Sequence, residues 1–208
     1  MDILKVMEEG VRSHVREKRE EFRYNEDEEW QVTLISDENP IKMREINSSL
    51  VGKIFVVSGI IISSTKPYIK ASKLKLRCRN CMATKVVELA PGQYPYVPSI
   101  CSGQSNMNQK CPNDPFVAMP DSEVIDTQSL RIQENPEDVP TGEIARTYNL
   151  VADRENVGKC VPGDRVRITG VMYVQELKVD NLSKGYIYVT GIQKQKERSK
   201  FIYSDQDE

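Results

Sequence analysis

Four of the chain's five cysteines fall within 34 residues, and their spacing restricts the fold more than any other feature. Cys78-Arg79-Asn80-Cys81 is answered by Cys101 and Cys111, a C-x2-C-x19-C-x9-C pattern. Two intervening residues let the first two thiolates face one point from a tight turn. A second pair then completes a tetrahedral sulfur cage, whose usual occupant is zinc with no position left for water. The first half has good knuckle spacing, whereas the nine-residue second gap is wider than the common pattern. Two other readings stand beside the cage: four reduced, buried thiols, and a redox C-x-x-C. The redox reading wants a strand-then-helix setting that lowers the first thiol's pKa, and the residues around Cys78 lack it. The chain is therefore expected to hold one structural zinc on Cys78, Cys81, Cys101 and Cys111. Cys160, just before Pro162-Gly163, reads as a small buried apolar residue.

With 208 residues the chain has room for one medium domain or two small ones. Eleven Pro, eleven Gly and 7% aromatics favour many short strands and turns over long helices. Five unevenly spaced cysteines do not make a disulfide framework, which favours a reducing compartment. The first 29 residues are too charged for a secretory signal, and the longest apolar run, residues 54–62, is too short to cross a bilayer. The expectation is a soluble intracellular protein.

A net charge of −2 says little, but the charges are laid out in blocks. Residues 46–87 carry eight bases and no acids, residues 111–155 ten acids and three bases, and residues 163–200 eight bases and four acids. Such blocks can form a basic face opposite an acidic one, as a phosphate-tracking groove requires. They can equally be solvated faces without a ligand.

Residues 2 to about 22 read as an amphipathic helix, with Leu4, Met7, Val11, Val15 and Phe22 at three- to four-residue steps. His14, the only histidine, lies on it far from the cysteines and reads as a surface residue. Residues 24–29 form an acidic connector. Strands are expected at 30–35, 53–62, 74–77, 85–89, around Tyr96, and at 129–134, 148–152, 164–175 and 185–193, with a short helix over 43–50. Gly59 reads as a bulge or sharp bend. The phrase Val161-Pro162-Gly163-Asp164-Arg165-Val166-Arg167-Ile168-Thr169-Gly170 is a Pro-Gly turn launching an alternating strand that bends at a glycine. The metal module thus interrupts a run of strands, and the fold class is mainly β: a curved barrel of about five strands, an OB-fold, with a zinc-binding insert. Boundaries follow at residues 1–29 (helix and connector), 30–76 with 117–195 (barrel), 77–116 (insert) and 196–208 (tail).

Neither Gly52-Lys53-Ile54 nor Gly158-Lys159-Cys160 is a P-loop, since each lacks the following Ser or Thr and the earlier glycine. No H-E-x-x-H or G-x-S-x-G occurs. No residue is assigned a catalytic role, and these residues are expected to bind or assemble.

Over residues 31–193 the chain resembles the N-terminal domain of the minichromosome maintenance (MCM) family, subunits of the hexameric replicative DNA helicase. The resemblance rests on Gly59-Ile60-Ile61-Ile62-Ser63-Ser64, the first cysteine pair, Cys111-Pro112-Asn113-Asp114-Pro115 and Met119-Pro120-Asp121. It continues through Ser129-Leu130-Arg131-Ile132-Gln133-Glu134, Pro136, Val139-Pro140, Gly142-Glu143 and Arg146. These motifs are nearest to the fifth subunit type of the eukaryotic ring.

The resemblance implies the tail of a helical subdomain, an OB-fold and a zinc insert, in a nuclear collar that six copies form around single- or double-stranded DNA. Neighbouring MCM subunits, the second and third types, would be partners, and a second hexamer would meet the zinc insert. It also implies a fragment of a longer protein whose ATP and Mg site lies in a separate C-terminal domain. Gln133, Glu134, Gly142, Glu143 and Arg146 match the loop that communicates between subunits, with Ala145 where the family usually has proline. Arg131 matches a DNA-binding base on the barrel, while the second such base is missing near Ser63. Lys178 and Lys184 fall in the barrel's projecting hairpin, beside Glu176 and Asp180. Tyr173, Tyr186 and Tyr188 are candidates for base stacking or for the core. A competing reading is a stand-alone OB-fold single-strand binding protein with structural zinc, like replication protein A, and a third is a zinc or thiol enzyme.

Overall fold

The computed structural model describes residues 2–18, 31–89, 96–103, 110–176 and 183–195. Among these residues one α-helix, α1 (Asp2–Glu17), precedes eight strands: β1 (Ile54–Ser64), β2 (Tyr68–Cys78), β3 (Thr84–Glu88), β4 (Phe116–Ala118), β5 (Glu123–Gln133), β6 (Thr147–Asp153), β7 (Arg165–Glu176) and β8 (Ser183–Lys194). The path β1-β7-β8-β6-β5 returns to β1 through Ile60–Gln133 and Ile61–Ile132, so five strands close on themselves. All these pairs are antiparallel except β6–β8. Closure removes exposed edges and defines the barrel as an OB-fold.

Alternation along each strand sends one set of side chains inward. Val57, Ile61, Leu76, Ile132, Leu150, Ile168 and Ile187 are fully buried, and most of them meet inside the ring. Each such side chain contributes roughly 1.5–3 kcal/mol by leaving water. β1 crosses close to the end of β5 at Gly59, where an added Cβ would lie 2.4 Å from the Gln133 carbonyl oxygen. Gly59 thus serves close approach of two strands, and the expected irregularity falls between Ile61 and Ser63 instead. The Pro-Gly turn forms as read: Gly163 has φ +99° and the Asp164 amide bonds the Val161 carbonyl at 3.1 Å. β7 shifts register against β8 between Thr169 and Gly170, the bend the sequence phrase anticipates.

β2 lies beyond the closed ring. Its first half pairs with the first half of β5, while β1 takes the second half, so β1 and β2 follow one another along a single neighbour. Gln128 seals the junction: its Nε2 amide group donates to Ser64 Oγ and the Thr65 carbonyl, both at 2.8 Å, and its side-chain carbonyl oxygen accepts from the Gly158 amide at 2.9 Å. The far half of β2 pairs with β3 and β4 and forms the base of the cysteine-bearing insert.

Several elements differ from expectation. The described part of the first expected strand, residues 31–35, forms no ladder. It lies across the barrel on isolated bonds such as Leu34 N to Thr190 O at 3.1 Å, and its alternation reflects a half-buried strap. Residue 30 lies outside the described residues. α1 ends at Glu17, and residues 19–22 also fall outside. The short helix over 43–50 is two 3-10 turns, Met43–Glu45 and Ser48–Leu50, parted by Asn47, whose side chain caps the second. Tyr96 is not in a strand. β2 and β5 both begin six residues before the sequence reading placed them. Lysines at 70, 73 and 75, with a register shift between Ala71 and Lys73, mask the alternation of β2. β4 was not anticipated at all.

Candidate functional site

Cys78 is the last residue of β2, and its amide bonds the Ala83 carbonyl at 2.9 Å, folding the C-x-x-C segment into a turn that ends with Met82 at φ +58°. The Cys78–Phe116 pairing brings the chain past Cys111 back to the same point. A bond from Asp114 N to Ser99 O at 2.8 Å ties the Cys101 side to it. All four sulfurs lie within 4.8 Å of one another, with Cys78–Cys111 at 3.8 Å and Cys81–Cys101 at 3.6 Å. Sulfurs held about 2.3 Å from one tetrahedral ion are about 3.8 Å apart, so the cage fits a metal. Gly103 leaves room for it, since a Cβ there would come 2.7 Å from the Cys81 sulfur.

The electrostatics favour a cation. Backbone amides, Cys81 first and then Asn80, act against the cost of burial and draw the Cys78 thiol down to about 6. The Gly103 amide also pulls Cys101 down, but burial and the other sulfurs override it and push that thiol up to about 12. Thiols this close cannot all ionise without a positive charge among them. Donors stand ready around the sulfurs: Gly103 N to Cys101 at 3.3 Å and Asn80 Nδ2 to Cys111 at 3.6 Å. A strand leads into the C-x-x-C and a turn leads out, which is not a redox setting. Cys160 sits in the barrel core, as read.

The loop from β5 to β6 forms a second constellation. Glu134 is only 2% exposed. Its carboxylate accepts from Arg44 Nε at 2.9 Å and from the Arg146 amide at 3.1 Å, and its own amide bonds the Arg146 carbonyl at 2.9 Å. Burial alone would raise the Glu134 pKa, but the Arg146 amide and Arg44 outweigh it and hold it below the usual range. Arg44 also pairs with Glu143 and donates from Nη2 to the Ile144 carbonyl at 3.2 Å. A turn at residues 140–143, with Gly142 at φ +83°, presents Glu143 to it. Gln133 ends β5 opposite Thr147, and Arg146 Nη1 reaches the Arg44 carbonyl at 3.4 Å.

On the barrel wall, Arg131 is exposed between Ser63 on β1 and Asn149 on β6, and its Nε donates to Asn149 Oδ1 at 3.4 Å. Lys184 is exposed on β8, with only β6 between that strand and β5, and Lys178 lies outside the described residues. Tyr186 and Tyr188 are buried, Tyr186 stacking on Tyr173 with centroids 5.9 Å apart and Tyr188 donating to Asp153 at 2.7 Å. Tyr186 and Tyr188 are thus packed against protein on the face of β8 opposite Ile187 and Val189, which favours packing over base stacking for these two.

Residues 42–176 match the family profile described as the MCM OB domain. This chain belongs to the MCM family. It is 41% identical over 151 residues to the DNA replication licensing factor mcm-5 of Caenorhabditis elegans, covering 71% of this chain and 20% of that protein. It is 37% identical over 180 residues to MCM5 of Arabidopsis thaliana, covering 81% and 25%. With mcm5-B of Xenopus laevis it shares 35% over 179 residues, covering 80% and 24%. The chain therefore spans about a fifth to a quarter of the length of these MCM relatives.

Sequence reasoning missed Arg44, which organises the loop of this MCM chain. Lys42-Met43-Arg44-Glu45 looks like any exposed charged segment, and only folding brings it to Glu134. It also missed the contact between helix and barrel. Glu8 on α1 accepts from the Val32 amide at 3.1 Å and pairs with Arg154 at 3.0 Å, over a cleft of about 790 Å³. His14 is exposed, as read.

Proposed function

We propose that this chain is the N-terminal collar region of a subunit of the MCM replicative helicase, encircling DNA in the nucleus and contacting neighbouring subunits. The observation that carries this is the coincidence of one family match, over residues 42–176, with a closed barrel that bears a four-sulfur cage. The domain division at 1–29, 30–76 with 117–195, 77–116 and 196–208 belongs to the same reading. Cys78, Cys81, Cys101 and Cys111 hold a structural zinc; four thiolates around a closed tetrahedral site are its usual ligands. The zinc insert serves the pairing of two hexamers. ATP and Mg act in another part of the parent protein, because these residues have no phosphate-binding loop.

Arg131 and Lys184 contact phosphates of single- or double-stranded DNA in the channel, and Lys178, outside the described residues, is assigned the same role. Ser63 lies beside Arg131 in register, so the second basic position of this wall is empty of charge and the grip is weak. Gln133, Glu134, Gly142, Glu143 and Arg146 form the element that links collar and motor. The experiment is to mix the chain with the second and third MCM subunit types and measure mass by light scattering, with and without DNA. Hetero-oligomers supported by DNA are expected, with DNA binding that weakens steeply with salt and further in Arg131→Ala. A chain that stays monomeric with every subunit and binds single strands tightly by itself overturns the collar reading.

A further inference from the structure

We propose that Arg44 sets the pose of the loop between β5 and β6 so that Ile144 stands out as the apolar contact point for an adjoining subunit. The inference rests on the reading of this loop as an inter-subunit element and names the residues that position it and make the contact. All three guanidinium nitrogens of Arg44 are engaged. Its Nε bonds Glu134 at 2.9 Å, its Nη1 pairs with Glu143, and its Nη2 bonds the Ile144 carbonyl at 3.2 Å. Residues 43–44 are held in return by the Tyr148 hydroxyl on the Met43 carbonyl and by Arg146 on the Arg44 carbonyl, both at 3.4 Å. The planar fork of a guanidinium can satisfy three divergent acceptors at once, and an ammonium cannot hold the same geometry.

The clamp holds the backbone on both sides of Ile144 while leaving its side chain 91% exposed, the highest value of any large apolar side chain among the described residues. Single exposed apolar residues are ordinary on protein surfaces. This one differs because its carbonyl, the carboxylate before it and the amide two residues after it are all fixed. A side chain presented from an immobilised backbone has little ordering left to lose on docking, which favours its use as an anchor. Glu143 and Arg146, both exposed beside it, supply opposite charges that orient the approach. The matching surface is an apolar socket with a charged rim on the adjoining subunit.

The test uses the full-length parent protein assembled with its partner subunits, reading base pairs unwound per ATP hydrolysed, while amide exchange at residues 141–146 is followed in this chain. Arg44→Ala and Ile144→Asp are each expected to lower the coupling ratio at least about fivefold, in the range of ordinary coupling between sites. Ile144→Leu recovers most of it, and Arg44→Lys does not. Arg44→Ala also speeds exchange at residues 141–146, whereas Ile144→Asp does not. Because Ile144 is exposed, its variant tests the contact even if Arg44→Ala fails to fold. Wild-type coupling in Ile144→Asp overturns the inference. If Arg146→Ala still uncouples the ring, the loop reading survives that result; if Arg146→Ala is also without effect, the loop reading falls with it.

Discussion

Glu134 shows how a carboxylate with almost no water around it remains an acid. Two donors, the Arg146 amide and the Arg44 guanidinium, take over from solvent and keep its pKa low in spite of burial. Its stabilisation is therefore complete above the unfolded-state value of about 4.3 and is lost as pH falls through the lower folded-state value. In Glu134→Gln the neutral side chain keeps much of the shape but cannot balance Arg44. Urea denaturation between pH 3 and 7 is expected to find this variant less stable near neutrality, with a shallower loss on the acid side. Parallel curves for the two proteins would deny the carboxylate this role. Asp153 has the opposite balance. Burial raises its pKa despite the Tyr188 hydroxyl at 2.7 Å, so its charged form detracts from stability as pH rises through the ordinary carboxylate range.

At the level of elements, the junction of β1 and β2 on β5 depends on one buried amide. Gln128 is 5% exposed and bonds Ser64, Thr65 and Gly158 at once. Gln128→Leu fills the space but strands those groups, at a cost of about 1–3 kcal/mol for buried polar atoms left without partners. A chemical-denaturation midpoint equal to wild type would contradict that. The sequence carried the long apolar strands well, because Ile, Val and glycine-marked bends fit a curved, buried sheet whatever lies elsewhere in the chain. β2 and the first half of β5 were harder to read. Charged residues interrupt their apolar ones, and the two segments are strands because they pair with each other. The charge blocks have the same explanation. Lys73 pairs with Glu123 and Lys75 with Asp121, both at 2.9 Å, so part of the basic block meets the acidic one across neighbouring strands rather than on opposite faces. Such exposed pairs contribute little stability, though they neutralise charge that would otherwise attract phosphate.

For the molecule as a whole, the barrel closes through β1 and β5 without help from the insert. The described residues of the insert, by contrast, bury few apolar side chains: Met82, Val86, Tyr96 and Ile100 are all exposed. On the proposed zinc reading the insert depends on its metal, since a structural zinc contributes on the order of 10 kcal/mol of apparent binding energy. Cys78→Ser, or prolonged chelation, is expected to release protection of amides in residues 79–115 while amides of Ile132 and Ile168 stay protected. Metal analysis should give one zinc per chain for the wild type and much less for the variant. Equal protection with and without metal would mean that thiol packing alone holds the insert.

Features that depend on spacing along the chain were legible before folding: the cysteine cage, the Pro-Gly turn, the bend at Gly170 and the inward faces of the long strands. A two-residue gap between thiols or an alternation of Ile and Val has the same physical consequence before and after folding. Folding alone brings Arg44 to Glu134 and Glu8 to Arg154, and buries Tyr186 and Tyr188. Those outcomes hang on contacts between residues far apart in the chain, and a charged or aromatic side chain does not reveal its partner until closure of the barrel removes its water.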